Sequence, residues 1–365
     1  MTSSIENNLV SIIDSKIINH NSSAFPTIVK LDNGDLICGF NVGGGPEVTG
    51  GSDWARSSDK GNTWKHEGSI LPRTEKPVTV NSMRLSRTAD GRLIAYGQRN
   101  YLDNENTKFG TLKNDAVFCI SDPNCQSWSE PSIVPHNYSC PFEVSNPIVV
   151  LADGRWLAPA ALLTDTEHFG EKVIVTESCD KGASWNNEYT VFADPAGKKC
   201  FFEQKIIETE PGKLLAFAWT VRMGCYSDYC NHFTWSNDGG RSWSKAIATT
   251  IQGQTLSPLW LGGSRFLLIY NYRQSPQGIK LALADITDSD CQILDETFLW
   301  QPSSNKNNVN VSEDKNSIDS FDDFAFGLPS VTPLDNNKFL AVFWNKENGS
   351  FGINSIKFYL KIAHI

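Results

Sequence analysis

Three stretches of this chain spell the same turn: "SSDKGNTW" (57–64), "SCDKGASW" (178–185) and "SNDGGRSW" (236–243). Each reads Ser-x-Asp-x-Gly-x-(Ser/Thr)-Trp, and a degraded copy, "SDPNCQSW", ends at Trp128. The closing tryptophans, Trp64, Trp128, Trp185 and Trp243, recur at roughly 60-residue intervals, the mark of a repeat architecture. In such a box the Asp and Ser side chains can bond backbone amides of their own turn, and Gly permits a left-handed φ. The Trp is placed to pack the hairpin between neighbouring sheets. The box is a folding device rather than a site.

A second repeat is more complete. "LDNGDLICGF" (31–40), "TADGRLIAYG" (88–97), "LADGRWLAPA" (151–160), "TEPGKLLAFA" (209–218), "LGGSRFLLIY" (261–270) and "PLDNNKFLAVF" (333–343) each set a tight Gly/Asn/Asp turn before an apolar run. Strand-like segments such as "FPTIVKL", "NPIVVL" and "EQKIIE" precede these turns, which is the strongest short-range hairpin signal. Helical periodicity is nearly absent. Six such units predict an all-β chain: one six-bladed β-propeller domain over residues 1–365, built of four-stranded antiparallel sheets. A strand within "NLVSIIDSKII" is expected to close the ring by pairing into the last blade, which removes exposed sheet edges. The Asn/Ser-rich segment 301–320 has no apolar periodicity and reads as a polar loop between blades five and six.

The remaining composition narrows the function classes. A net charge of −9 without a Lys/Arg run argues against nucleic acid or an anionic membrane as partner. No apolar stretch approaches a membrane span. The start lacks a basic region followed by an apolar one, so a cytoplasmic location is expected, although a processed secreted form would look the same. Nine cysteines without a C-x-x-C pair fit reduced thiols. The six histidines are dispersed, so neither a metal nor another cofactor is called for.

Six units carrying these boxes resemble the sialidase superfamily, and the resemblance covers nearly the whole chain. It implies a site at the channel mouth where arginines hold a sugar carboxylate, a tyrosine activated by a glutamate attacks, and an acid on a blade-one loop protonates the leaving group. Arginine forks suit a carboxylate because they bind it bidentately and stay charged. By resemblance, "FFEQKII" supplies the glutamate as Glu203, "AWTVRMGC" an arginine as Arg222, and "IYNYRQSPQG" another as Arg273. The blade-one acid falls on Glu47 or Asp53 in "GGGPEVTGGSDWARSSD". Two positions depart from the pattern. Ala24, in "SSAFPTI", stands where the family has its first arginine, and "DDFAFGLPS" offers Phe324 or Phe326 where the family has its tyrosine.

Other residues belong near the same mouth. Arg84, in "VNSMRLS", is positioned to replace the missing arginine, and Arg99, in "AYGQRNY", follows the blade-two hairpin as Arg222 follows that of blade four. Lys346 and Glu143 occupy comparable places on blades six and three. Cations converging on one rim of an acidic chain point to an anionic ligand. Trp219, Tyr226, Tyr229 and Tyr272 lie on the same loops, where aromatics either stack on sugars or pack. The expected function is a glycoside hydrolase acting on a terminal, acidic sugar, with Glu203 as base or nucleophile and Glu47 or Asp53 as acid. The alternative is a non-catalytic carbohydrate-binding propeller; a true exo-sialidase and a lyase on a uronic-acid polymer are more distant.

Overall fold

The computed structural model describes residues 9–102, 111–302, 325–335 and 337–361. Among the described residues, twenty-six strands arrange into six small antiparallel sheets around a channel. Strand β1 (Val10–Asn19) is set aside for closure. Blade one is β2 (Ala24–Lys30), β3 (Leu36–Asn41), β4 (Ser52–Ser57) and β5 (Lys65–Leu71). Blade two is β6 (Thr74–Glu75), β7 (Val78–Arg87), β8 (Leu93–Tyr101), β9 (Asn114–Ile120) and β10 (Ser132–Ile133). Blade three is β11 (Phe142–Glu143), β12 (Val149–Val150), β13 (Trp156–Leu163), β14 (Phe169–Ser178) and β15 (Asn187–Ala193). Blade four is β16 (Lys199–Glu210), β17 (Lys213–Arg222), β18 (His232–Ser236) and β19 (Ile247–Ala248). Blade five is β20 (Gln254–Gly262), β21 (Arg265–Tyr272), β22 (Gly278–Ile286) and β23 (Cys291–Trp300). Blade six is β24 (Phe326–Pro333), β25 (Lys338–Glu347) and β26 (Ser350–Leu360), and β1 pairs antiparallel with β26 to complete it. The chain is thus closed as expected.

Two blades differ from the four-strand expectation. In blade two the short β6 pairs with β7, adding a strand. In blade three the inner strand is broken into β11 and β12, both on β13. The break falls at "VSNP", where Pro147 has no N–H to offer a ladder.

All six predicted turns join the inner strand of a blade to the next, with β7 as the inner strand of blade two. Their tips carry positive φ, from Gly34 (90°) to Asn337 (61°). The Ser-x-Asp turns connect the third and fourth strands. Ser57, Ser178 and Ser236 accept the N–H of Gly61, Gly182 and Gly240, each at 2.8 Å. Asp59, Asp180 and Asp238 then accept amides at the turn's far end, such as Thr63 N–H at 2.9 Å and Ser184 N–H at 2.7 Å. In the degraded copy Pro123 takes the Asp position, and Asp122, one residue earlier, accepts Ser127 N–H at 2.7 Å. The turn survives because its bonds are local. Trp185 packs edge-on against Phe118 of the preceding blade and Trp128 against Trp54, at 5.9 and 6.0 Å between centroids.

The apolar residues form six main clusters, one at each interface between consecutive blades. Burying both faces of every sheet leaves the inner strand edges facing the channel, and that is where polar side chains gather. The polar segment expected over 301–320 and the candidate Phe324 lie outside the described residues, apart from 301 and 302.

Candidate functional site

Four inner strands lose register at the same depth: between Ala24 and Thr27, Phe202 and Lys205, Gln254 and Ser257, and Gly327 and Ser330. At each irregularity the residue after the last paired one has a positive φ: Phe25 (54°), Glu203 (46°), Thr255 (47°) and Leu328 (42°). Non-glycine residues held there cost of order 1–3 kcal/mol each, and bulges of this kind re-aim a side chain. Here they re-aim four toward one place. Phe25, Glu203, Thr255 and Leu328 all line one small pocket at the channel mouth, with Pro46, Gln254, Asn271, Arg273 and Trp344.

Glu203 is the ionisable centre of this pocket. The bulge frees its backbone N–H, which donates to Glu143 Oε2 at 3.2 Å. Its own Oε2 is buried and has no hydrogen-bond partner among the described residues. Burial, and then the charge of Glu143, raise its pKa to about 7, against the opposing pull of Lys205, Arg273 and Arg84. Glu143, 8% exposed, is raised chiefly by burial as well. Burial conversely lowers Lys205, Arg84 and Arg273. Both guanidinium groups nonetheless stay protonated at neutral pH.

Arg273 lies over the Phe326 ring, its Cζ 5.2 Å from the centroid. A Cβ at Gly327 would sit 2.8 Å from Arg273 Nη2, 3.0 Å from Trp344 Nε1 and 3.2 Å from Asn271 Nδ2. The missing side chain therefore leaves three N–H-bearing groups around one spot. Trp344 Nε1 has no partner among the described residues. Such a cluster of donors beside a part-neutral carboxyl can hold an oxygen-rich anionic group and move a proton.

Of the residues singled out from sequence, the pocket brings together Glu203 and Arg273. Arg84 is 5% exposed behind them, its Cζ 5.3 Å from the Phe25 ring centroid and its Nη1 donating to Ser82 Oγ at 2.8 Å. Glu47 is exposed in the 3₁₀ turn Gly45–Glu47, whose Pro46 lines the pocket. Asp53 is instead tied to His66 Nε2 at 2.8 Å on the outer strand of blade one. Arg222 is exposed at the end of β17, against Tyr229. Arg99 is paired with Asp115 at 2.9 Å, and Lys346 is exposed against Phe351. None of these last three is among the residues lining the pocket.

Ala24 is fully buried in the core, and Phe326, 2% exposed, is packed on Trp300. The loop aromatics are held by other contacts. Trp219 donates to Asp228, Tyr226 donates to Thr166 O, and Tyr272 faces the Lys280 ammonium. Gln254, Thr255, Asn271, Trp344 and Lys205 were not legible as site residues. The one available signal was the adjacency of Lys205 to Glu203 within "FFEQKII".

No family model and no curated protein matches the chain. Solved structures do share its architecture. A protein of unknown function from Dyadobacter fermentans is similar with a TM-score of 0.75 at 21% identity, over 96% of this chain and 99% of that one. The Hadza microbial sialidase Hz136 is similar with a TM-score of 0.64 at 15% identity, over 94% of this chain and 68% of that one. A Trypanosoma rangeli sialidase, solved also in complex with sialic acid, is similar with a TM-score of 0.61 at 14% identity. That match covers 93% of this chain and 55% of the trypanosomal one, so this chain spans about half its length. At such identities the likeness is one of fold: the chain is a sialidase-like six-bladed β-propeller.

Proposed function

We propose that the chain is a sialidase-like glycoside hydrolase acting on a terminal, acidic sugar. The observation that carries this reading is the unpartnered, buried Glu203 Oε2 sharing a pocket with Arg273. A carboxyl titrating near 7 is matched to proton transfer at neutral pH. Arg273 would pair with the sugar's anionic group. Glu203 would take the proton of a water as that water's oxygen bonds to the anomeric carbon. Glu47, on the turn that brings Pro46 to the pocket, would give a proton to the departing glycosidic oxygen. Asp53 suits that role less, since its carboxylate is engaged by His66. Similarity to a sialidase solved with sialic acid supports a carbohydrate ligand.

The second reading, a carbohydrate-binding propeller without turnover, is favoured by Phe326 and Ala24. Ala24 stands where the resemblance places an arginine, and Phe326 is one of the two phenylalanines, with Phe324, offered where it places a nucleophilic tyrosine. A panel of aryl glycosides decides between the two, with sialic acid, deoxy-keto acids, uronides and neutral sugars as glycones. Turnover of an acidic glycoside that Glu203→Gln abolishes supports the hydrolase. Silence on the whole panel, with an acidic sugar still bound in calorimetry, supports the binding module.

A further inference from the structure

Below the four bulges the channel opens into a cavity of ≈ 170 Å³ lined by residues from all six blades. It is far larger than the ~10–15 Å³ that a single water needs. It shares only Leu328 with the mouth pocket. Its charged lining residues are Arg84 and Lys205, and no carboxylate lines it. Thr27, Ser145, Ser257 and Ser330 add hydroxyls to the wall. Four of its lining residues, Pro26, Pro147, Pro258 and Pro329, have no N–H to offer a ligand.

The two cations are poorly matched by protein. Arg84 Nε and Thr27 Oγ1 have no hydrogen-bond partner among the described residues. Lys205 is 9% exposed, and its ammonium, with three donors, makes one hydrogen bond there, to Ser145 O at 2.6 Å. The nearest counter-charges, Glu143 and Glu203, do not line the cavity, and burial pushes both toward their neutral forms. Burying cations without matching negative charge is costly.

We propose that this axial cavity is a binding site for a small inorganic oxyanion, held between Arg84 and Lys205 with hydroxyl groups around it. The site does not depend on hydrolysis at the mouth. A guanidinium and an ammonium lining one cavity together with four hydroxyl-bearing residues provide the charge-assisted donors that a tetrahedral oxyanion uses.

Inorganic phosphate is the probe, in calorimetry and thermal unfolding at matched ionic strength set by a buffer ion too bulky to enter. Wild type is expected to bind phosphate and to melt at rising temperature as phosphate increases, by mass action. Lys205→Met and Arg84→Met should each weaken phosphate by about tenfold or more, the usual loss of a charge-assisted hydrogen bond. Bromide soaked into wild-type crystals should give an anomalous peak between Arg84 and Lys205, a result that does not require either variant to fold. No phosphate-dependent stabilisation of wild type, or a bromide peak only beside Arg273, overturns the proposal.

Discussion

The backbone N–H of Glu203 donates to the side-chain Oε2 of Glu143 at 3.2 Å, linking equivalent positions of adjacent blades 60 residues apart. This bond fills the place of a ladder partner that the bulge removed. It also holds Glu203 at φ 46°, the conformation in which its carboxyl reaches the mouth pocket. One carboxylate thus aims and electrostatically tunes the other.

Glu143→Gln should separate those two effects. The amide oxygen can still accept the Glu203 N–H, while the negative charge that helps raise Glu203 disappears. The Glu203 midpoint should fall below about 7 yet stay above its ordinary 4.5, because burial is the larger cause. Carboxyl ¹³C titration by NMR measures this directly. Glu143→Leu should in addition destabilise the fold by about 1–3 kcal/mol, since a buried donor is left unsatisfied.

The same shift makes stability depend on pH. With the folded value near 7 and the ordinary value at 4.5, the folded chain holds a proton that the unfolded chain releases between them. The contribution from Glu203 is fully present below 4.5 and is lost as pH rises through about 7. Urea midpoints should therefore fall across that window in wild type, and fall less in Glu203→Gln.

Arg273 and Arg222 should part company on mutation. Arg273→Met removes a charged donor from the pocket and should weaken an acidic sugar ligand by about ten- to a hundredfold, the worth of a desolvated charge-assisted contact. Arg222→Met should change affinity by less than about threefold, as expected of an exposed cation at a strand end. Calorimetry with the best ligand of the glycoside panel reads both. Equal losses would show that Arg222 swings into the pocket on binding.

Gly327→Ala tests the cluster of donors. The added methyl would lie 3.0 Å from the Trp344 nitrogen and 2.8 Å from Arg273 Nη2. The indole is buried and cannot yield as a guanidinium can. Ligand affinity should drop by about tenfold or more, and stability should fall by about 1–3 kcal/mol in urea unfolding, the usual cost of overpacking against a buried neighbour.

The sequence by itself determined the number of blades, their hairpins and the closing strand. Those features rest on local chemistry. A Ser or Asp side chain bonding amides three or four residues away, and a glycine or asparagine at a hairpin tip, need no distant partner. Asp122 standing in for the Asp position lost to Pro123 shows how little context such a turn requires. The resemblance also led to Glu203 and Arg273. Tertiary structure alone decided what surrounds them. Thr255, Asn271 and Trp344 reach the mouth from blades five and six, and only the bulges set which side chains turn inward there. A bulge adds one residue and resets the two-residue alternation from which strand faces are read. Arg222 kept the spacing expected of a site residue, yet the register of β17 pairs it with Lys199 at the strand's end and leaves it exposed. Likewise, the raised pKa of Glu203 depends on Glu143 from the neighbouring blade, a charge brought near by ring closure and packing rather than by proximity along the chain.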